Sequence, residues 1–192
     1  MAYKVIAISR EFGSGGRSIG KALANDLNIK CYDKEIIEKI ASESGYDPKY
    51  IEENGEGNKT FLDRIFSTPM YTPSNEDNIW ALQCNLILKA SEEPCVIVGR
   101  CADYLLQDRE DVLKVFIYAD IESRADRIVK VYGESDVKPL ERVKDKDKKR
   151  IAYYEQYTSF KWGDAHNYDI CLNSSKLGID KCISIIKEIY NK

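Results

Sequence analysis

Near the N-terminus, Gly13-Ser14-Gly15-Gly16-Arg17-Ser18 combines residue types at a spacing suited to gripping phosphate. The segment follows the apolar run Val5-Ile-Ala-Ile8 and opens an amphipathic stretch. Glycines let backbone amides approach an anion without Cβ obstruction, and a helix starting behind them adds unpaired N–H groups and partial positive charge. The usual phosphate loop reads G-x-x-x-x-G-K-[ST]. Here Glu11 stands at the first glycine and Arg17 at the lysine. Arginine is permanently charged and can fork across two oxygens, but its planar head does not sit as an ammonium does. In phosphoryl transfer, Gly13, Ser14, Gly15 and Gly16 would wrap donor phosphates, Arg17 would contact outer oxygens, and the Ser18 hydroxyl would ligate Mg²⁺. Two alternatives stay open: a tight strand-to-helix turn that binds nothing, and a dinucleotide loop, which would need glycine where Ser18 stands.

Such a loop must be held by a strand and a helix, and the rest of the chain supplies the same units repeatedly. Apolar, β-branched runs at Lys4–Ser9, Ile29–Tyr32, Cys95–Val98, Val112–Tyr118 and Asp169–Leu172 read as buried strands. Ser18–Leu27, Lys34–Ser44, Asn78–Ala90, Ile121–Val131 and Ile179–Tyr190 place apolar residues at helical spacing. This alternation predicts an α/β fold with a parallel sheet, right-handed crossovers and helices on both faces. Ligands then bind at the C-terminal ends of the strands. The glycine loop, Gly99-Arg100 and Asp120 all follow strands, so one crevice should gather them.

Two stretches interrupt the pattern. Residues 45–78 carry Gly, Asn and Pro clusters around short helical pieces (Pro48–Asn54, Thr60–Phe66) and read as a substrate-covering excursion. Gly133–Arg150 is dense in alternating charge, ending in Asp145-Lys-Asp147-Lys-Lys-Arg150, and reads either as a solvated helix or as a mobile lid. Beyond it, Tyr153, Tyr154, Tyr157, Phe160 and Trp162 fall at near-helical spacing, where packing together is the commoner outcome and stacking a base the rarer one.

The 192 residues, 43% hydrophobic and 32% charged, are ordinary globular composition and enough for one domain with a sizeable core. With 29 basic and 32 acidic side chains the net charge is −3, so no global field favours nucleic acid and any anion site must be local. Nothing resembles a membrane span or signal peptide, which predicts a cytoplasmic protein without a membrane partner. The six cysteines form no C-x-x-C pair and read as buried free thiols. The single histidine, His166, excludes a two-histidine metal site and reads as a loop residue. Oligomeric state has no signal.

Four segments carry a resemblance: Ile8-Ser-Arg-Glu-Phe-Gly-Ser-Gly-Gly-Arg-Ser-Ile-Gly-Lys21, Tyr32-Asp-Lys-Glu-Ile-Ile37, Val96-Ile-Val-Gly-Arg-Cys-Ala-Asp-Tyr-Leu-Leu106, and Trp162-Gly-Asp-Ala-His-Asn-Tyr-Asp-Ile-Cys-Leu-Asn-Ser-Ser-Lys-Leu-Gly178. In this order they resemble the cytidylate kinase-like family. The resemblance implies a single P-loop kinase domain of three layers, with a five-stranded parallel sheet. Its core would comprise residues 1–44, 79–132 and 159–192, its nucleoside-monophosphate-binding excursion residues 45–78, and its lid residues 133–158. It also implies ATP and Mg²⁺ as cofactors and small-molecule nucleotides as partners.

By the same resemblance Arg17, Arg124, Arg127 and Arg150 are the catalytic cations. Asp33, Arg100, Asp103, Asp147 and Arg150 would contact the acceptor, and Asn173-Ser174-Ser175 would lie near the donor base. The implied reaction moves the ATP γ-phosphoryl group to a nucleoside monophosphate such as CMP or dCMP. An acceptor already ionised near neutrality needs little acid–base help, and a chain with one histidine fits that. Convergent positive charge is the real requirement. Lys34 and Glu35 replace the serine and glycine usual in cytidylate kinases, and Val98 replaces the acidic residue before Gly-Arg, leaving Ser18 with water, or Glu11, for the metal. A nucleotide-binding regulatory module with little catalysis remains open, as does a kinase acting on a hydroxyl acceptor with Asp33 as base.

Overall fold

A computed structural model describes residues 3–33, 45, 75–133 and 138–192. Five parallel strands form one sheet: β1 (Val5–Arg10), β2 (Lys30–Tyr32), β3 (Cys95–Val98), β4 (Val112–Tyr118) and β5 (Ile170–Asn173), in the order β2-β3-β1-β4-β5. Around them lie α1 (Gly16–Leu27), α2 (Asn75–Ala90), the single turn α3 (Ala102–Leu105), α4 (Ile121–Lys130), α5 (Pro139–Tyr157), the single turn α6 (Ser174–Leu177) and α7 (Ile179–Tyr190). β1 sits at the centre, paired with β3 from Val5↔Cys95 to Ile8↔Val98 and with β4 from Val5↔Val112 to Arg10↔Ile117.

Alternate strand residues feed two cores, as the period of two requires. Val5, Ala7, Cys95, Ile97 and Val112 pack with Ile79, Leu86, Ile87, Ala102 and Leu106 of α2, α3 and the residue after α3. Ile6, Ile8, Val96, Val98, Leu113, Val115 and Ile117 pack with Ile19 and Leu23 of α1 and Cys182 and Ile186 of α7. Strands covered on both faces read as continuous apolar runs, which is why β1, β3 and β4 were legible. Each fully buried Ile or Leu contributes about 1.5–3 kcal/mol, so the strand ends that carry the site rest on a stiff base.

The expected strands are present, β3 and β4 with the expected ends and the others shifted by at most one residue, a usual uncertainty of element boundaries. The expected helix over 34–44 and nearly all of the excursion over 45–78 lie outside the described residues. Where a solvated helix or lid was expected, α5 runs from Pro139, whose ring suits the first helical position, and buries Val143 against Ala125 and Ile128 of α4. Its other end buries Tyr153 and Tyr154 with Cys101, and Trp80 stacks on Tyr157 with centroids 4.5 Å apart. Phe160 meets Tyr104 of α3 and Trp162 meets Phe116 of β4 edge-on, so the aromatic cluster packs α5 and the residues after it against α2, α3 and β4. All six cysteines are free, three buried and three partly so; burial pushes the Cys84 thiol up to about 11 and the Cys95 thiol up to about 12. Among the described residues no helix is long and apolar enough to cross a membrane.

Candidate functional site

The glycine loop joins β1 to α1 as the spacing predicts. Gly13 and Gly15 hold φ of 79° and 85°, and Gly15 serves as the helix N-cap with no side chain closing the first-turn amides. A Cβ on Gly13 would stand 2.8 Å from the Arg124 carbonyl oxygen, so side chains are barred there by space as well as by φ. No acidic residue occupies the first turn of α1, which leaves the helix N-terminus positive and suited to an anion. Ser14 Oγ donates to the Glu11 carbonyl at 2.9 Å, and Ser174 Oγ of α6 donates to the Ser14 carbonyl at 2.5 Å. Ser174 therefore braces the loop from the end of β5. Arg127 lies against the loop, its guanidinium carbon 3.4 Å from where a Gly15 Cβ would be.

Glu11 does not enter the phosphate cradle. Its Oε2 accepts from the Ala119 amide at 2.9 Å and lies 3.3 Å from Arg124 Nε. Burial raises its pKa, against the lowering effects of the Ala119 amide and Arg124. Arg124 is itself only 7% exposed. It donates through Nε to the Ala119 carbonyl at 3.0 Å and through Nη1 to the Phe12 carbonyl at 3.3 Å, and it pairs with Asp147 Oδ2. Asp147 Oδ1 accepts from the Phe12 amide at 2.7 Å. A part-buried Glu11–Arg124–Asp147 triad, with Arg124 at its buried centre, thus fastens loop, α4 and α5 together. The structure gives Arg124 and Asp147 protein partners at positions where the resemblance implied substrate.

Arg17 projects from α1 and pairs with Asp33 after β2, so the loop's cation meets the carboxylate that the resemblance assigns to the acceptor. Across the β1–β3 seam, Ser9, Arg10, Gly99, Arg100, Cys101, Arg150, Tyr153, Tyr154 and Trp162 line a crevice. Gly99, Arg100 and Cys101 are three consecutive left-handed residues, at φ 78°, 59° and 54°. The Arg100 carbonyl accepts from Gln83 Nε2 at 3.3 Å, and Gln83 Oε1 accepts from Tyr153 at 3.0 Å. α2 and α5 therefore hold the turn in its strained form. Arg150 donates to the Arg10 carbonyl at 3.3 Å, and its guanidinium lies 5.4 Å from the Phe12 ring centroid.

Asp103, expected beside Arg100 as an acceptor ligand, is 3% exposed and engaged behind the crevice wall. Its Oδ1 accepts from Ser9 at 3.0 Å and its Oδ2 from Tyr154 at 2.7 Å. Burial raises its pKa, more than these hydroxyls lower it. A raised carboxyl binds its proton more tightly in the folded chain than in the unfolded one. Its contribution to stability is therefore complete at low pH, and is lost as pH climbs from the ordinary aspartate value of about 3.9 through the raised one. Asp103→Asn should remove that loss. Urea unfolding of both proteins across this window should show wild-type stability falling relative to the variant as pH rises; parallel curves would mean that the fold does not raise the Asp103 pKa. Glu11 shifts the same way in both proteins, so the difference isolates Asp103.

The strand ends thus bring together the glycine loop with Arg17 and Arg127 on one side, and Arg100 with Arg150 on the other. Asp33, after β2, joins the loop side through its pair with Arg17. Asp120 lies at the start of α4, its carboxylate held low by Lys176 at 3.3 Å. His166 is 94% exposed in a 3₁₀ turn, as a loop residue should be. Sequence reasoning missed Arg10 and Gln83. A polar residue on the buried face of α2 was the available signal for Gln83, and the glycine opposite it for Arg10. Among the described residues no three His, Cys, Asp or Glu side chains gather to hold a metal alone. A magnesium ion carried by phosphates needs only one or two protein oxygens, and Ser18 in the first turn of α1 fits that demand.

The model of a family described as cytidylate kinase-like matches residues 5–176. A protein named cytidylate kinase from Methanopyrus kandleri is 26% identical over 95% of this chain and 91% of its own length. A crystal structure of an uncharacterized protein from Eubacterium ventriosum is 30% identical, with a TM-score of 0.75 and 98% of each chain covered. Shikimate kinase from Acinetobacter baumannii, solved with shikimate, shares the fold at a TM-score of 0.56 and 13% identity, covering 97% of this chain and 92% of its own.

Proposed function

We propose that this chain, which belongs to the cytidylate kinase-like family, transfers the γ-phosphoryl group of ATP to a nucleoside monophosphate, CMP or dCMP first among them. One observation carries this reading: two arginine-bearing anion sites, the glycine loop and the Arg100–Arg150 crevice, open side by side at the C-terminal ends of β1 and β3. Two phosphorylated substrates need that adjacency, because their mutual repulsion must be offset while donor and acceptor come into line.

On this reading the amides from Gly13 to Ser18 and the α1 N-terminus hold donor phosphates, and Arg127 covers the loop. Arg100 and Arg150 hold the acceptor phosphate. Arg17 lies toward the acceptor side through Asp33 and bridges the two. The Glu11–Arg124–Asp147 triad positions the loop and binds no substrate. When bound, Mg²⁺ neutralises donor phosphate charge, with the Ser18 hydroxyl as its protein ligand.

The Arg17–Asp33 pair favours one second reading. A loop cation satisfied by protein suits a nucleotide-binding module with slow transfer. A coupled ADP-release assay across nucleoside monophosphates separates the two. Transfer predicts acceptor-dependent ADP formation that is greatest with a pyrimidine monophosphate, whereas ATP binding with no acceptor-dependent turnover would establish the module instead.

A further inference from the structure

Arg10 occupies a place that the phosphate-loop pattern does not explain. As the last residue of β1 it is in register with Ile117 of β4, and its carbonyl accepts from Arg150. Its side chain crosses the seam between loop and crevice. A Cβ on Gly16 would stand 2.6 Å from Arg10 Cβ and 2.9 Å from its Cγ, while a Cβ on Gly99 would fall inside the radius of Arg10 Nη1. The stem thus lies over the glycine that begins α1, and the head lies over the glycine that follows β3. Gly99 is the berth of this guanidinium, a requirement additional to its φ of 78°. Arg10, Arg100 and Arg150 share the crevice wall, and Arg150 also lies 3.9 Å from Asp147 Oδ1.

We propose that Arg10 is the third arginine of an acceptor-phosphate pocket and that it selects acceptors already carrying a phosphate dianion. The proposal rests on reading the crevice as the acceptor side. A dianion bound against this wall gains charge-assisted contacts from the guanidiniums that line it. A phosphate monoester carries nearly two negative charges near neutrality and three outer oxygens, enough for forked contacts from more than one arginine. A neutral hydroxyl acceptor offers neither.

The test saturates the protein with Mg²⁺ and a non-hydrolysable ATP analogue, so that the glycine loop is filled. CMP and, separately, inorganic phosphate are then titrated by calorimetry into wild type, R10Q, R10K and G99A. R10Q should weaken phosphate and CMP about tenfold or more, the loss of one charge-assisted hydrogen bond, with analogue affinity unchanged within about twofold. G99A should reproduce the loss by evicting the Arg10 head. R10K keeps the charge without the fork, should lose about threefold, and carries the test if R10Q fails to fold. Phosphate binding that depends on Arg10 while CMP does not bind would retire the nucleotide reading and sustain this one. Wild-type protein that binds no phosphate, variants that bind it unchanged, or a parallel loss of analogue affinity would overturn it.

Discussion

Arg124→Ala is expected to lower the free energy of unfolding by about 3–5 kcal/mol, among the largest losses a single substitution in this chain should produce. The reason lies in what remains behind. Arg124 is 7% exposed and pairs with both Glu11 and Asp147. Truncation leaves part-buried Glu11 without its cation and Asp147 with only Arg150, 3.9 Å from its Oδ1, and also orphans the Phe12 and Ala119 carbonyls. Breaking a buried ionic group on one side is costly because desolvated charge stays uncompensated, whereas removing the whole group is far less so. Arg124→Met combined with Glu11→Gln and Asp147→Asn should therefore recover most of the loss. Urea unfolding of the single and triple variants measures both statements. A single-variant loss below about 1 kcal/mol would contradict the clamp and return Arg124 to the role of a ligand-facing arginine.

Arg100→Gly should do the opposite: a large loss of activity with no loss of stability. Arg100 sits at φ 59° between Gly99 and Cys101, both also left-handed. An L-residue there costs about 1–2 kcal/mol, while glycine adds about 0.5–1 kcal/mol of unfolded-state entropy, so the net change should lie between zero and a gain of about 1.5 kcal/mol. The guanidinium is lost outright. If it holds the acceptor where charge develops during transfer, kcat/KM for the acceptor should fall about 10²–10³-fold, with ATP affinity little changed. Thermal melts and steady-state kinetics of the one variant give both numbers. Activity retained within about threefold would remove Arg100 from the site. A strained turn kept in place by Gln83 and Tyr153 is the pattern expected where stability has been yielded to function.

The contrast between these two arginines shows where a sequence stops being readable. β1, β3 and β4 announced themselves because strands covered on both faces are apolar throughout, and the turn at Gly13 and Gly15 because only glycine suits such backbone. Those signals are local. The partners of Arg124 lie 23 and 113 positions away in the chain, at Asp147 and Glu11, and an arginine at helical spacing looks the same whether it faces a phosphate or a buried carboxylate. Asp103 presents the same difficulty. It follows Gly99-Arg100 as an acceptor ligand would, yet Ser9 and Tyr154, from β1 and α5, enclose it. Arg10 was hidden for a third reason: the place of its head depends on Gly99, 89 residues later, offering no side chain. Pairwise tertiary adjacency of this kind leaves no periodic trace.

The most direct measurement follows the transferred group itself. The protein is incubated with Mg²⁺, CMP and ATP whose γ-phosphate carries heavy oxygen, and the products are read by mass spectrometry. The two-site account predicts CDP with the label on its β-phosphate, formed in equal amount to ADP. Labelled inorganic phosphate with no nucleoside diphosphate, from CMP or from any other nucleoside monophosphate supplied, would contradict it.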